Sequence, residues 1–298
     1  MFESHVGELA AFATAVCWTA TPIAFEAAGK RIGSLTVNFI RLLIAFVLIG
    51  IFTFVTRGMF LPMDATSTNW TWLTVSGIIG FVIGDLFLFE AYVRIGARIS
   101  LLIMAAVPPI TAMAGFLMLG ETLTLMDMLG MFITVGGIAL VILVKGNQDK
   151  KVKLSHPLKG IIYAFIGALG QSFGTVYSKF GMGEYNAFAA TQIRIIAAIV
   201  GFTIVVTVRK HWRQICIGLK DFTAMRHIVI GSVFGPFIGV SLSLLAVQHT
   251  TTGVASTITS ISRILIIPIS IFIFKEKISS KEVLGALITI VGVSFLFI

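Results

Sequence analysis

The feature that most constrains this chain is an internal duplication. Seven positions recur in the same order 155 residues further along: Gly80, Gly84, Ala91, Glu121, Gly130, Thr134 and Gly137 return as Gly235, Gly239, Ala246, Glu276, Gly285, Thr289 and Gly292. Both copies are strongly apolar, since 57% of all residues are hydrophobic and 12% are charged, whereas a soluble domain carries about 25% charged residues. The sequence therefore predicts a duplicated membrane unit, and such units most often form transporters with a site between the copies.

The apolar runs predict ten membrane-spanning helices, five in each copy. A bilayer core requires about 20 apolar residues per helix, and stretches such as 99–120 and 227–262 contain no Asp, Glu, Lys or Arg. The runs are continuously apolar, whereas the strands of a membrane barrel alternate, so the predicted fold class is an all-α membrane protein. The predicted spans are 8–27, 34–55, 70–93, 99–119, 125–144, 160–178, 186–207, 227–247, 253–274 and 282–298.

The predicted spans divide the chain into two repeats, residues 1–145 and 160–298, joined by a basic linker at 146–159. An odd number of helices per copy places the two copies in opposite orientations, so we expect an inverted repeat. Inverted repeats give a site near the middle of the membrane and two gates that open to opposite sides, which is the geometric basis of alternating access.

The basic residues indicate how the chain is inserted. Seventeen of the 22 Lys and Arg residues fall in the odd-numbered connections between spans, and the even-numbered connections hold only Arg57 and Lys179. The positive-inside rule then places the odd connections in the cytoplasm and both termini outside. Because the charges lie in loops, the net charge of +9 reflects membrane insertion, and no nucleic-acid partner is expected. The predicted location is the cytoplasmic membrane of the cell, with multiple crossings.

Several motifs resemble a known family. The first copy contains GDLFLFEAYVRIGARI at 84–99, then Pro108-Pro109 and LGETLT at 119–124, and the second copy has the same pattern at 246–256 and 275–285. This pattern resembles the EamA domains of the drug/metabolite transporter superfamily. The resemblance implies ten helices, a central cavity lined mainly by the first four helices of each copy, and transport of small metabolites, more commonly export. Members of the family commonly have a cytoplasmic N-terminus, which is opposite to the orientation that the charges predict here.

The predicted function is a secondary transporter that exports a small organic metabolite, an amino acid or a related solute, by alternating access across the lipid bilayer. The alternative is a channel or facilitator pore, which would favour symmetric polar rings. An intramembrane enzyme is disfavoured because Asp85 is the only aspartate deep inside a predicted span, Asp127 lying at the very start of the span 125–144, and because the chain contains no His-Glu-x-x-His or Gly-x-Ser-Gly motif. We expect no cofactor, no metal and a monomeric protein, with Asp85 and Glu90 as candidates for a coupling proton.

Charged residues inside the spans are the first candidates for substrate binding, because each costs about 2.5–3.5 kcal/mol at the membrane centre unless it has a partner. Arg41 and Asp85 lie at similar depths, roughly 10–14 Å from the same face at 1.5 Å per residue, so they could pair, either for binding or to join two helices. Arg194 matches Arg41, but Val240 occupies the position that matches Asp85. The candidate partners of Arg194 are therefore a backbone carbonyl, a polar side chain, a water molecule or a substrate anion. A structural role for Arg194 is the alternative to substrate binding.

Arg263 lies near the middle of the ninth predicted span, far from other charges, with Thr259 on the same helix face. A guanidinium group suits a carboxylate or phosphate, which favours a substrate with an anionic group over the alternative that Arg263 binds backbone carbonyls. The remaining candidates for the cavity wall are Trp18, Met104, Pro108, Gln171 and Thr175. Glu121 and Glu276 are interpreted as structural residues, each at the N-terminus of the following helix.

Overall fold

A computed structural model describes residues 5–122, 124–145, 152–154, 157–262, 265 and 280–295. The described chain is helical apart from one pair of short strands. Its helices are α1 (Val6–Ile32), α2 (Ser34–Arg57), α3 (Ser67–Gly77), α4 (Leu86–Ile103), α5 (Val107–Leu119), α6 (Leu125–Ile142), α7 (Leu158–Met182), α8 (Ala187–Val208), α9 (Trp212–Gly218), α10 (Phe222–Ser232), α11 (Val240–His249), α12 (Thr252–Thr259) and α13 (Ser280–Ser294). A first π segment, Ile78–Asp85, joins α3 to α4, a second π segment, Val233–Gly239, joins α10 to α11, and a 3-10 turn, Met104–Ala106, joins α4 to α5.

The helix ends follow from local chemistry. Gly58 adopts a left-handed conformation with φ 72° and closes α2 by donating its N–H to Phe54 O, which is the usual role of glycine after a helix. At the other end of the connection, Thr66 and Asn69 form a reciprocal capping box at the start of α3. Asp221 caps α10 by accepting the N–H of Ala224. The connections are therefore short turns with their own hydrogen bonds, which keeps the long helices side by side.

Five continuous helical stretches of the described chain are long and apolar enough to cross a membrane: Val6–Ile32, Ser34–Arg57, Ser67–Leu119, Ala187–Val208 and Phe222–His249. Two further apolar helices, Met128–Leu140 and Val283–Gly292, are shorter. These findings establish a multi-pass, helical membrane protein, and the exact number of ten spans stays a prediction.

The stretch Ser67–Leu119 is 53 residues long, about 80 Å at 1.5 Å per residue, which is far more than one crossing. Gly96 divides it, because its φ of 81° and ψ of 157° are not helical. The sequence predicted two separate spans at 70–93 and 99–119, and Gly96 lies between them.

The fifth predicted span ends earlier than expected. It was predicted to run to residue 144, but α6 ends at Ile142, and the chain continues as strand β1, Leu143–Lys145. This strand pairs antiparallel with β2, Val152–Leu154, inside the predicted basic linker. The pairing satisfies backbone N–H and C=O groups where the helix stops.

The helices of the two copies pack reciprocally. In one half, Gly84 of the first π segment lies against Gly170 of α7, and a methyl group added at Gly170 would lie 2.5 Å from the Gly84 Cα. At the matched crossing, Gly239 of the second π segment lies against Trp18 of α1, and a methyl group added at Gly239 would lie 2.6 Å from Trp18 Nε1. Gly239 matches Gly84 and the α1 residues match those of α7, so each copy inserts its first helix against the π segment of the other. Reciprocal contacts of this kind indicate a pseudo-two-fold relation.

The last helix of the first copy, α6, packs on the last described helix of the second copy, α13. Gly137 of α6 approaches Gly285 and Thr289 of α13, and Gly292 approaches Gly130 and Thr134. Because the residue numbers rise along α6 while those of its contacts fall along α13, the two matched helices run antiparallel. Small residues at these crossings allow the backbones to approach closely.

Two adjacent glycines of α6 provide a matched test of this crossing. A methyl group at Gly137 would lie 2.6 Å from the Thr289 backbone nitrogen and 2.7 Å from Gly285 O, whereas at Gly136 it would meet nothing within 4 Å. We expect Gly137→Ala to destabilise the protein by about 1–3 kcal/mol through overpacking, and Gly136→Ala to be neutral or stabilising by about 0.5–1 kcal/mol. The Tm of both variants in the same detergent measures the difference, and equal values would contradict the observed crossing.

Candidate functional site

A cavity lies between the two copies. It is bounded by α1, α2, the first π segment and α4 of the first copy, and by α7, the second π segment and α11 of the second copy. Its free space is about 90 Å³, which is room for several water molecules. The lining residues are Trp18, Thr21, Pro22, Phe25, Arg41, Phe81, Asp85, Leu88, Phe89, Tyr92, Leu101, Met104, Gln171, Gly235, Pro236, Val240 and Ser262.

An ion pair between Arg41 and Asp85 lies on the cavity wall. The guanidinium Nη2 of Arg41 donates to Asp85 Oδ2, and both side chains are buried. The sequence predicted this pairing from the depth of the two residues, and the structure confirms it. Because a buried charge without a partner is costly, the pair explains how α2 and the first π segment accommodate these residues within the membrane region.

Asn38 holds the ion pair in place. Its Oδ1 accepts a hydrogen bond of 3.0 Å from Arg41 Nε, and its Nδ2 donates one of 3.1 Å to the backbone oxygen of Asp85. The side chain of Asn38 is fully buried. Sequence reasoning missed this residue, although its position three before Arg41 places it on the same helix face.

Aromatic rings surround the Arg41 guanidinium group. Its central carbon lies 4.4 Å from the centre of the Phe89 ring, 5.5 Å from that of Phe25 and 5.8 Å from that of Phe81. Cation–π contacts of this kind stabilise a cation by about 0.5–2 kcal/mol. These rings were not predicted as site residues, although the spacing offered a signal. Phe81 lies four residues before Asp85, and Phe89 and Tyr92 lie four and seven residues after it, so all three share its helix face.

Arg194, the counterpart of Arg41, contacts one of these rings, that of Phe81. Its guanidinium carbon is 4.8 Å from the centre of the Phe81 ring, and its buried Nε has no hydrogen-bond partner among the described residues. Arg194 itself does not line the cavity. Phe81 therefore stands in contact with both matched arginines, whereas Asp85 forms its ion pair with Arg41.

The predicted site residues divide into three groups. Those that line the cavity are Trp18, Arg41, Asp85, Met104 and Gln171. Those that the structure places elsewhere are Pro108, which is buried in α5, Thr175, whose hydroxyl bonds to Gln171 O of its own helix at 2.8 Å, Thr259, which bonds to Ser256 O at 2.9 Å, and Arg194. Arg263 lies outside the described residues. A substrate-binding role for any of them stays a prediction.

The two π segments occupy matching positions in the two copies, and both contribute to the cavity wall. Phe81 and Asp85 come from the first, and Gly235 and Pro236 from the second. A π-helical turn contains an extra residue and is frequent at functional sites. The sequence did not indicate these segments, because an apolar run has the same composition in an α-helix and a π-helix.

Glu121 connects the two copies at one end of the bundle. Its carboxylate accepts hydrogen bonds from Thr252 Oγ1 at 2.5 Å and from Lys179 Nζ at 3.1 Å. Partial burial raises the pKa of Glu121, but these hydrogen bonds outweigh burial and hold the pKa below its usual value. The sequence predicted that Glu121 would stabilise the following helix, α6. The carboxylate also accepts the Thr252 N–H at the start of α12, so its described hydrogen bonds join the second copy, and an effect on α6 stays a prediction. Glu276 lies outside the described residues.

Comparison with known proteins identifies both copies. The model of the EamA-like transporter family matches residues 5–143 and 158–298, which together are nearly the whole chain. No curated protein matches the sequence. Among solved structures, one described only as a protein crystal structure aligns with 97% of this chain and 95% of its own, with a TM-score of 0.67 and 13% identity. At this identity the likeness shows the fold alone.

Proposed function

Since the chain belongs to the EamA-like transporter family, a family of membrane transporters for small solutes, we propose that it is a secondary transporter that exports a small organic metabolite by alternating access. An amino acid or a related solute is the first candidate for the substrate. The observation that carries this proposal is the cavity between the copies, because residues from both copies and one ion pair line it.

The packing of the two copies supports an inverted repeat. The matched helices α6 and α13 run antiparallel, and the first helix of each copy packs on the π segment of the other. Two copies in opposite orientation can exchange conformations, so that a cavity closed toward one side becomes closed toward the other. Alternating access is the mechanism that such an arrangement supports.

The chemistry of the cavity suits a substrate with both polar and apolar groups. Arg41 can bind a carboxylate through its planar guanidinium group, and Asp85 can bind an ammonium group. Leu88, Leu101 and Met104 offer an apolar surface beside them. An amino acid that enters between Arg41 and Asp85 would satisfy both charges, and Arg263 is a further candidate for an anionic group on sequence grounds.

Asp85 is the residue that we expect to couple substrate binding to the movement of the two copies. Its counterpart in the second copy is Val240, and Asp85 pairs with Arg41, so the matched Arg194 has no carboxylate at the equivalent position. We propose that Asp85 exchanges between the two arginines as the copies rock, with Phe81 in contact with both. Glu90, which accepts a hydrogen bond of 2.6 Å from Ser34 Oγ and pairs with Arg94, is the second candidate for a coupling proton.

A channel is the second candidate function. It is less well supported because the matched positions 85 and 240 carry an aspartate and a valine, whereas a pore selects ions through rings of equivalent groups. The two functions differ in kinetics, since a transporter saturates with substrate and a channel does not over the same range.

Two residues of α7 provide a direct test. Gln171 lines the cavity, and Thr175, one turn later, does not. In proteoliposomes loaded with unlabelled amino acids, we expect saturable counterflow of a labelled one. Gln171→Leu should reduce the affinity roughly two- to tenfold, the effect of losing one hydrogen bond, and Thr175→Val should leave it unchanged. Flux that is linear in solute concentration would instead favour the channel, and equal effects of both variants would place the substrate elsewhere.

A further inference from the structure

The connection between α8 and α10 carries an excess of positive charge. Between residues 209 and 226 the sequence contains five basic residues and one acidic residue, Asp221. The basic residues are Arg209, Lys210, Arg213, Lys220 and Arg226, and all five are exposed.

Three other cations at this end of the bundle, Arg31, Lys30 and Arg94, have acidic partners. Arg31, at the end of α1, bonds to Asp221 at 3.0 Å, which brings the first connection next to this one. Lys30 pairs with Glu26, and Arg94 pairs with Glu90 at 2.7 Å. Within the part of the chain that the structure describes, none of the five cations between 209 and 226 forms an ion pair. Their charge is therefore available to an external anion.

Helix α9, in the middle of this segment, packs on α1 and α2. Gly218 packs against Thr36 and Ile32 at the junction of α1 and α2, and the Trp212 ring meets Phe39 edge to face at 5.4 Å. The opposite side of the segment exposes large apolar groups, including Ile217 at 59% and Phe222 at 83%. Basic residues mixed with exposed aromatic and aliphatic groups at the end of membrane helices are typical of the interface between water and lipid.

A surface cleft lies against one face of α10, and the described residues that line it all belong to this helix. Phe222, Thr223, Arg226, His227 and Ile230 line a space of about 350 Å³. Arg226 supplies a guanidinium group, which bonds phosphate with two parallel N–H groups. Phe222 and Ile230 supply an apolar surface, since they lie about one turn before and one turn after Arg226 on the same helix. The cleft thus combines a phosphate donor set with a wall suited to a hydrocarbon chain.

We infer that this cleft binds an anionic phospholipid, with the phosphate on Arg226 and an acyl chain against Phe222 and Ile230. The other four cations attract the anionic headgroup to the membrane surface beside the cleft. A free phosphate ion would use Arg226 but gain nothing from the apolar wall, and a zwitterionic lipid would gain little from the surrounding charge.

The test uses the purified full-length protein in a neutral detergent, titrated with phosphatidylglycerol or phosphatidylcholine. We expect phosphatidylglycerol to raise the Tm more than phosphatidylcholine does, and its apparent affinity to fall with added salt. Arg226→Gln should weaken phosphatidylglycerol binding by about fivefold, the loss expected for one basic group at an anionic surface. The matched control is Arg57→Gln, because Arg57 already bonds to Asp64 at 2.5 Å and its removal should leave lipid binding unchanged.

Three results would overturn this inference. The first is equal stabilisation by the two lipids, and the second is an Arg226→Gln variant that binds phosphatidylglycerol as the unaltered protein does. The third is equal stabilisation by inorganic phosphate, which would assign the cleft to a free anion. If Arg226→Gln yields no folded protein, the double variant Arg213→Gln/Lys220→Gln carries the same expectation on exposed positions. None of these readouts depends on transport.

Discussion

Asp85→Asn is expected to lower the free energy of unfolding by about 3–5 kcal/mol, because it leaves the charge of Arg41 buried without its partner. Arg41 is 3% exposed and its guanidinium group already uses Asn38 as a second acceptor. A neutral amide at position 85 can accept a hydrogen bond but cannot compensate the charge. Denaturant titration of the purified protein in mixed micelles measures the loss.

Two further variants separate charge from packing. Asp64→Asn removes a carboxylate whose pair with Arg57 lies in an exposed connection, so we expect a loss of only about 0–1 kcal/mol. The double variant Arg41→Leu/Asp85→Leu removes both buried charges and should recover most of the stability, since apolar replacements of a buried pair are often neutral or stabilising. If Asp85→Asn proved as mild as Asp64→Asn, the buried ion pair would not be a major determinant of stability.

The same double variant also tests the proposed role in transport. With its stability recovered, it should still lack saturable counterflow, because neither a carboxylate nor an ammonium group of the substrate has a partner in the cavity. Normal transport by a folded Arg41→Leu/Asp85→Leu protein would show that the pair only joins α2 to the first π segment.

Gly96→Ala is expected to cost about 1–3 kcal/mol in backbone strain alone. Gly96 has φ 81° and ψ 157°, a conformation that side-chain-bearing residues rarely adopt. The turn at Gly96 also places the Ala97 N–H on Glu26 Oε2 at 2.6 Å, and a charge-assisted hydrogen bond of this kind contributes about 1.5–3 kcal/mol. A shift of the turn would relieve the strain but lose this hydrogen bond, so by either route we expect a loss of about 1–3 kcal/mol.

The control for this prediction is Gly253→Ala in α12. Gly253 has no positive φ, and a methyl group there would meet nothing within 4 Å. We expect its Tm to remain at or slightly above that of the unaltered protein. A Gly96→Ala protein with the same Tm as Gly253→Ala would show that the chain turns between the two spans without strain.

The sequence alone predicted the membrane class, the two copies and the family, because hydropathy and repeated motifs are properties of the linear chain. It also predicted the Arg41–Asp85 pair, since helical rise converts residue number into depth. Trp18, Met104 and Gln171, which the sequence offered as candidates for the cavity wall, line the cavity, and their role in substrate binding stays a prediction.

The sequence could not distinguish which face of each helix would meet the cavity. Thr175 and Thr259 share the polar character of Gln171, yet each hydroxyl is satisfied by a carbonyl of its own helix. Asn38 was missed because its two hydrogen-bond partners come from different elements, α2 and the first π segment. The hydrogen bond of Glu121 to Thr252 of α12 could not be predicted, because the two residues are 131 positions apart along the chain.

What the amino-acid order determined by itself is therefore the set of apolar segments, their duplication and the depth of the buried charges, since these depend on composition and on the constant rise of a helix. The tertiary structure alone decided the rotation of each helix, the extra residue in each π segment and the partners of Asn38, Glu121 and Arg194. The physical reason is that these features depend on close packing at glycine crossings such as Gly84 and Gly170, and packing is a property of surfaces that meet only after the chain has folded.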